Sequence, residues 1–342
     1  MVTAGLLRAE GVIFAAPDAA NGARQTVVYS SLDEPLARPL IVAFQGWYPD
    51  VTLRYVELLT GYIAARIMAE ADASQPTADL VFSSAMDLTV KLANDGYARA
   101  VDLRRAKDWP DWGNWRNMVI ALTFEPAVII YHKPSFPSGR PDTRAGLMAW
   151  LETAPAGRIG TYDIARSAVG YLFLSRDMEH FADLWPMVDA MGRAGVQTFP
   201  TSQDVIDAVN AGKLLLGYNI LRSFANDQAA RMPDLGLTIP RDYVVIVSRV
   251  ALVPRAAQAP DLGEAFLDFL MSPAGQTLLA ERLRLPPVSL EVAGKIGASA
   301  MQPALEATLR PVPVSPGLLA YLDPANRARV LARWNMAIDG GE

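Results

Sequence analysis

Two pairs of adjacent serines are well placed to contact a small polar ligand. Ser30 and Ser31 end a β-branched and aromatic run, and Ser83 and Ser84 end a second short apolar run. A serine hydroxyl can donate to a ligand oxygen or cap the helix that follows, and the sequence leaves both roles open. We expect one serine of each pair to contact a ligand, and both pairs to lie at the same edge of a sheet.

A second candidate site follows the predicted strand Arg158–Tyr162. Here Arg166, Ser167 and Ala168 lead into a predicted helix. The first turn of a helix has free N–H groups and a positive dipole end, which together favour a carboxylate or a phosphate. Arg166 could pair with such an anion or form an ordinary ion pair with Asp163, and both interpretations stay open.

The sequence does not indicate the chemistry of an enzyme. It contains no cysteine, which excludes thiol nucleophiles, disulfides and thiolate metal sites. The two histidines, His132 and His180, lack the spacing of metal ligands. Neither a nucleophile elbow, a phosphate-binding loop, a His-Glu-x-x-His motif nor a dinucleotide glycine pattern occurs. We therefore predict a binding protein that uses no cofactor, not an enzyme.

Length and composition indicate a globular chain of two domains. The 342 residues exceed the size at which one hydrophobic core usually keeps growing, and 51% of them are hydrophobic. The net charge of −5 disfavours nucleic acid as a partner, because phosphate binding needs a clustered cationic face. No apolar run has the length of a membrane span. Met1–Ala20 lacks the basic and apolar regions of a secretory signal, so we expect any export signal to lie outside this sequence.

Strands alternate with helices along most of the chain. The first hundred residues place helical patterns between the strands Thr26–Ser31, Val51–Val56 and Ala78–Ser84. This order predicts an α/β lobe with a mostly parallel sheet covered on both faces. Further strands between helices predict a second α/β lobe; they are Val119–Lys133, Arg158–Tyr162, Leu214–Asn219 and Tyr243–Val253.

Five segments resemble the periplasmic substrate-binding proteins of ABC transporters, in the iron-type branch with the type II fold. The most specific is AFLDFLMSPAGQTLLAE, Ala265–Glu281, which resembles the helix, serine-proline turn and helix that close these proteins. The resemblance extends from about Thr26 to Ser289. Its other four segments are Val27–Phe44, Thr77–Ser84, Arg158–Phe173 and Gly212–Ala225.

The resemblance implies a two-lobed α/β fold with two mixed or parallel sheets and a two-strand hinge. Lobe one would comprise residues 24–124 plus 248–342, and lobe two residues 125–247. The hinge would be formed by Val119–Ile130 and Tyr243–Val253. A ligand would then bind in the cleft between the lobes, and closure of the lobes over it would be a hinge motion.

The resemblance also implies roles for residues of lobe two. Ser167, Ala168 and Val169 would offer backbone N–H groups to an anion. Tyr218 and Asn219 stand where the iron carriers place two adjacent tyrosines, and an amide cannot replace a phenolate as a ligand for ferric iron. Because the family's histidine and glutamate are also missing from the serine segments, we expect Tyr218 and Asn219 to bind an organic ligand by hydrogen bonds and stacking. A packed-core tyrosine is the alternative.

Together these observations predict an extracytoplasmic solute-binding protein, expected in the periplasm and as a monomer. It would capture a small organic anion, either phosphorylated or carboxylated, and deliver it to an ABC permease. Two alternatives stay open. In one, the closed form docks on a membrane histidine kinase as a ligand sensor. In the other, the same fold binds ferric ion through Tyr218 and an external anion.

Overall fold

The computed structural model of the chain describes residues 11–20, 23–229, 231–289, 292 and 308–339. These residues form two compact units. The first contains the described residues within 1–124, 248–301 and 313–320, and the second contains those within 125–247, 302–312 and 321–342. In this part of the chain, no helix has both the length and the apolar character that crossing a bilayer requires.

A mixed sheet forms the centre of the first unit. Its described strands are β1 (Val12–Phe14), β2 (Arg24–Ser30), β3 (Val51–Glu57), β4 (Leu80–Ser83), β5 (Asn114–Trp115), β6 (Val119–Ala121) and β13 (Val250–Leu252). They are hydrogen-bonded in the order β1-β3-β2-β4-β13-β6-β5. Because β2 runs parallel to both β3 and β4, the carboxyl ends of these three strands share one edge of the sheet.

The longer helices of the first unit bury apolar residues. They are α1 (Glu34–Trp47), α2 (Thr60–Asp72), α3 (Met86–Asn94), α4 (Arg104–Lys107), α10 (Pro260–Met271) and α11 (Pro273–Glu281). Phe44 of α1 lies with its ring centroid 4.6 Å from that of Phe266 in α10. Ser272 separates α10 from α11 and caps α11, since its Oγ accepts the Gly275 N–H at 3.1 Å.

The second unit is built on another mixed sheet. Its described strands are β7 (Glu125–His132), β8 (Ile159–Tyr162), β9 (Gln197–Phe199), β10 (Leu216–Leu221), β11 (Leu235–Thr238), β12 (Val244–Val247) and β14 (Leu309–Pro311). The order is β14-β12-β7-β10-β8-β9, and β11 also pairs with β7. The strands β8, β9 and β10 are mutually parallel where they pair, whereas β10 is antiparallel to β7.

The helices of the second unit include the last helix of the described chain. They are α5 (Arg144–Leu151), α6 (Ala168–His180), α7 (Leu184–Arg193), α8 (Ser202–Asn210), α9 (Arg222–Ala229) and α12 (Pro324–Ile338). The helix α12 packs against α7 so closely that a Cβ at Gly192 would lie 1.9 Å from the carbonyl oxygen of Ala337. This contact requires glycine at position 192.

The position of the chain's last segments corrects one sequence-based boundary. Residues 248–342 were all assigned to lobe one, but residues 308–312 and 321–339 belong to the second unit. The physical reason is long-range pairing: β14 pairs in parallel with β12, and α12 packs on α7. An amphipathic pattern shows that a helix has a buried face but not which element covers it.

The chain passes from the first unit to the second after Phe124 and returns after Val247. Both crossings lie inside the segments assigned to the hinge, Val119–Ile130 and Tyr243–Val253. Each segment comprises parts of two strands, since β6 ends at Ala121 and β7 begins at Glu125, and β12 ends at Val247 and β13 begins at Val250. Hinge motion at these crossings stays a prediction.

Candidate functional site

The two serine pairs meet at the carboxyl edge of the first unit's sheet. Ser30 is the last residue of β2, and Ser83 is the last residue of β4. Just beyond the strands, the Oγ atoms of Ser31 and Ser84 lie 3.3 Å apart, and the Ser84 N–H donates to Ser31 Oγ at 3.0 Å. The parallel pairing of β2 with β4 therefore places all four hydroxyls at one edge.

The members of each pair differ in what they contact. Ser30 is fully buried, and its Oγ donates to the Phe82 carbonyl and accepts the Leu32 N–H. Ser83 is also buried, and its Oγ accepts the Ala85 N–H. Both inner serines thus stabilise the turns after their strands. Ser31 is half-buried and Ser84 is exposed, so these outer serines are the ones whose hydroxyls are accessible to a ligand.

Carboxylates lie at the starts of the two helices that follow the serine pairs. The Glu34 N–H at the start of α1 donates to Glu57 Oε2 at 2.9 Å, so a carboxylate of the protein already occupies this helix N-terminus. Asp87 lies in the first turn of α3. The helices α1 and α3, which follow the two serine pairs, therefore both carry negative charge in their first turn, which disfavours an anion there.

A cation that the sequence analysis did not single out, Arg249, lies at the same edge. It directly precedes β13, whose first residue, Val250, pairs with Ser83. Its side chain is largely buried. Burial raises the pKa of the Tyr55 hydroxyl, and a hydrogen bond with Ser30 and the charge of Arg249 partly oppose that rise. No spacing signal marks this arginine, because only the sheet brings β13 beside β4.

The start of α6 in the second unit has a different arrangement. Ser167 is the N-cap residue, and its Oγ accepts the Gly170 N–H at 3.2 Å. The N–H groups of Arg166 and Ser167 both donate to the Asp163 carbonyl. Among the described residues, none accepts the N–H groups of Ala168 and Val169. These two donors at the helix N-terminus are therefore available to an acceptor from outside the chain.

Arg166 is exposed, and the ion pair with Asp163 that the sequence left open is not formed. Within the described chain Arg166 makes no salt bridge, and Asp163 Oδ1 instead accepts the Ala165 N–H at 3.0 Å. The helix is held close to β8 by a glycine: a Cβ at Gly170 would lie 2.4 Å from the Cβ of Tyr162. The first turn of α6 contains no acidic residue.

Tyr218 and Asn219 belong to a buried polar network centred on Asp177 of α6. The Tyr218 hydroxyl and the Asn219 amide donate to Asp177 Oδ2 at 2.8 and 2.7 Å. The Tyr243 hydroxyl and the Arg144 guanidinium donate to Asp177 Oδ1 at 2.6 and 3.0 Å. One carboxylate thus accepts four hydrogen bonds, and the donor groups of Tyr218 and Asn219 are used inside the protein.

The network keeps the Tyr218 phenol neutral. Burial raises the pKa of Tyr218 well above its ordinary value, and the charge of Arg144 only partly opposes this. Asp177 and Arg144 are both fully buried, and the Arg144 guanidinium stacks 3.5 Å from the Tyr243 ring centroid. Asn219 has a φ of 58° at the bulge where β10 leaves its register with β7. A phenolate at Tyr218 would lie against the Asp177 carboxylate, so this site opposes ionisation.

Sequence comparison identifies the family. The model of the family described as bacterial extracellular solute-binding protein matches residues 40–307. The chain is also 52% identical to the substrate-binding protein of the ABC transporter from Agrobacterium tumefaciens, with a TM-score of 0.85 over 96% of this chain and 98% of that one. The chain therefore belongs to the bacterial extracellular solute-binding protein family. Among curated proteins, none matches it.

Two more distant structures share the fold. Iron-bound HitA from Pseudomonas aeruginosa is 15% identical, with a TM-score of 0.71 over 92% of this chain and 99% of that one. AfuA from Actinobacillus pleuropneumoniae, with exogenous fructose-6-phosphate bound, is also 15% identical, with a TM-score of 0.71 over 92% and 98%. The predicted resemblance to periplasmic substrate-binding proteins and the predicted α/β two-sheet fold class are both confirmed. The family is one of solute-binding proteins, not of enzymes.

Proposed function

We propose that this solute-binding protein captures a small organic anion, phosphorylated or carboxylated, for an ABC importer, and does so in the periplasm. The observation that carries the proposal is the N-terminus of α6. It presents the N–H groups of Ala168 and Val169 without an internal acceptor among the described residues, next to the exposed guanidinium of Arg166. A helix N-terminus of this kind suits an anionic group by both its donors and its dipole.

The proposed ligand contacts are direct for some predicted residues and indirect for others. Direct contact is proposed for Ser31, Ser84, Arg166, Ala168 and Val169, whose polar groups are accessible. An indirect role in shaping these contacts is proposed for the buried or internally bonded residues, which are Ser30, Ser83, Ser167, Tyr218 and Asn219. Ser167 acts by capping α6, and Tyr218 with Asn219 by fixing β10 against that helix.

Ferric ion is the alternative ligand, because HitA, which shares the fold, is iron-bound. The contacts of Tyr218 argue against it. Its hydroxyl donates to Asp177 and its pKa is raised by burial, whereas ferric iron requires an anionic oxygen ligand. Transport by a permease is favoured over signalling to a histidine kinase because the relative at 52% identity is the binding protein of an ABC transporter.

Thermal unfolding in the presence of candidate ligands tests the proposal. A panel of fructose 6-phosphate, inorganic phosphate and citrate is compared with fructose, glucose and ferric chloride. A ligand at one hundred times its dissociation constant stabilises the folded state by about 2.7 kcal/mol, which shifts the midpoint of unfolding by several degrees. A shift with at least one anion supports the proposal. Shifts only with neutral sugars or the metal overturn it.

A further inference from the structure

An arginine from the last helix contacts the loop that precedes the α6 N-terminus. Arg327 of α12 donates through Nη2 to the carbonyl oxygen of Ala165 at 3.1 Å and to that of Ile164 at 3.4 Å. Its guanidinium carbon also lies 4.4 Å from the ring centroid of Tyr171, in the first turn of α6. One side chain therefore bridges the loop and the helix that follows it.

The other hydrogen bonds of this loop show which of its carbonyl groups depend on Arg327. The Asp163 carbonyl accepts the N–H groups of Arg166 and Ser167, so it is already engaged by the loop itself. The next two carbonyls, of Ile164 and Ala165, are those that Arg327 engages. A carbonyl oxygen carries partial negative charge and repels an anion nearby. Binding these two oxygens to a guanidinium offsets that repulsion at the approach to α6.

No ion pair with a carboxylate of the described residues explains the position of Arg327. The acidic residue one turn earlier on α12 is Asp323, and its Oδ1 accepts the Asn326 N–H as the helix cap. Within the described residues, Arg327 forms no salt bridge. The Tyr171 side chain that it covers is buried, and its hydroxyl has no hydrogen-bond partner in the described chain. The charge of Arg327 is thus directed at the loop and at the ring of Tyr171.

We infer that Arg327 is a positioning residue for the anion site at the α6 N-terminus and a second source of positive charge beside Arg166. This inference rests on the proposed function, which supplies the anion. The last helix, α12, then contributes one side chain, that of Arg327, to the proposed anion site of the second unit. The resemblance placed this helix in lobe one, so no sequence pattern pointed to that role.

Isothermal titration of the full chain with fructose 6-phosphate and citrate tests the inference. Arg327→Gln keeps an amide donor for the carbonyls but removes the charge, and we expect binding of the anion to weaken roughly three- to tenfold. The variant should also show a smaller loss of affinity between low and high salt, because one cation fewer is screened. Arg327→Lys retains the charge and should recover part of the affinity.

Arg329→Gln is the matched control. It removes the same charge from the same helix, and Arg329 contacts Asn326 rather than the loop. Its affinity should stay within about twofold of the wild type. Arg327→Gln binding within twofold of the wild type, or an equal loss in Arg329→Gln, overturns the inference while leaving the proposed function intact. If Arg327→Gln does not fold, the intermediate affinity of Arg327→Lys decides. A wild-type protein that binds neither probe and is stabilised only by neutral sugars or the metal overturns the proposed function, and this inference with it.

Discussion

The helices that follow the two serine pairs of the first unit differ from α6 of the second unit in the sign of the charge at their starts. In the first unit, Glu57 occupies the N-terminus of α1, and Asp87 lies in the first turn of α3. In the second unit, α6 starts without an acidic residue, with Arg166 before it and Arg327 on its loop. Around the serine pairs the first edge presents hydroxyls and carboxylates beside the largely buried Arg249, whereas the start of α6 presents N–H groups and guanidinium groups.

This difference indicates which part of a ligand each unit would contact. An anionic group is favoured at α6 because the helix dipole is positive there and Arg166 and Arg327 lie at the same loop. Hydroxyl groups of a ligand are favoured beside Ser31 and Ser84, where acceptor oxygens are abundant. The ligand proposed above would combine an anionic group with hydroxyl groups, and the following experiments test that division of roles.

The largest predicted effect is a loss of stability in Asp177→Asn, within the buried polar network of the second unit. The substitution leaves the fully buried Arg144 with only the partly exposed Asp242 as a charged partner. Because breaking a buried ion pair costs up to about 3–5 kcal/mol of unfolding free energy, we expect a loss of at most that size. Urea denaturation monitored by circular dichroism measures the loss. We expect the variant to unfold at a much lower urea concentration than the wild type.

The first unit supplies the control, because Asp79 is also buried but pairs with no cation among the residues that the structure describes. Its carboxylate accepts hydrogen bonds from Thr26 Oγ1, the Val27 N–H and the Ala259 N–H. Asp79→Asn weakens hydrogen bonds from neutral donors and breaks no ion pair, so it should cost about 1–3 kcal/mol. Equal losses in the two variants would show that the charge of Arg144 does not distinguish the second unit.

The next effect concerns the close contact of α6 with β8. Gly170→Ala places a methyl group where the Tyr162 Cβ already lies, and overpacking of this kind costs about 1–3 kcal/mol. Because α6 must shift to accommodate it, binding of fructose 6-phosphate should weaken as well. Thermal unfolding and isothermal titration measure the two losses.

Gly61→Ala is the corresponding change at the start of α2 in the first unit. No atom lies within 4 Å of the Cβ it would add. Alanine favours the helix over glycine by about 1 kcal/mol, so stability should stay equal or rise, with ligand affinity unchanged. A destabilised Gly61→Ala variant would mean that glycine at helix starts is needed generally, not only at α6.

Local sequence signals were sufficient for the ends of strands and the starts of helices. The serine pairs were predicted to share an edge from the strand runs alone, and the hydroxyls of Ser31 and Ser84 lie 3.3 Å apart. The start of α6 was predicted at Ala168, where the structure has it. In both cases the signal is contained in a few consecutive residues.

The parts that were not predicted depend on contacts between distant segments. The acceptors and donors around Asp177 come from α5, α6, β10 and the residue before β12, and no spacing relates them. Tyr218 and Asn219 were expected to contact ligand because the pattern showed their types but not that Asp177 lies beside them. Arg327 was missed for the same reason, since α12 reaches α6 only through the packing of the second unit.

A smaller effect is expected from Arg166→Gln at the second edge. Losing an exposed guanidinium beside the bound anion should weaken both inorganic phosphate and fructose 6-phosphate by about three- to fivefold at low salt. Arg38→Gln removes an equally exposed charge of α1, which pairs with Glu34 in the first unit, and should leave both affinities unchanged. Equal losses of affinity in the two variants would show that only the net charge of the protein affects anion binding, and that the two edges do not differ.

The smallest predicted effect is a loss of affinity in Ser84→Ala. It distinguishes the two edges because it should depend on whether the ligand carries hydroxyl groups. The lost hydroxyl is accessible and its contact would be a neutral hydrogen bond, so fructose 6-phosphate should bind about two- to fivefold more weakly. Inorganic phosphate should bind as before, because its charge would be held at α6. Ser138→Ala, an exposed serine of the second unit, is the control and should change neither affinity. An equal loss for both ligands would place the phosphate at the serine edge and reverse the division of roles.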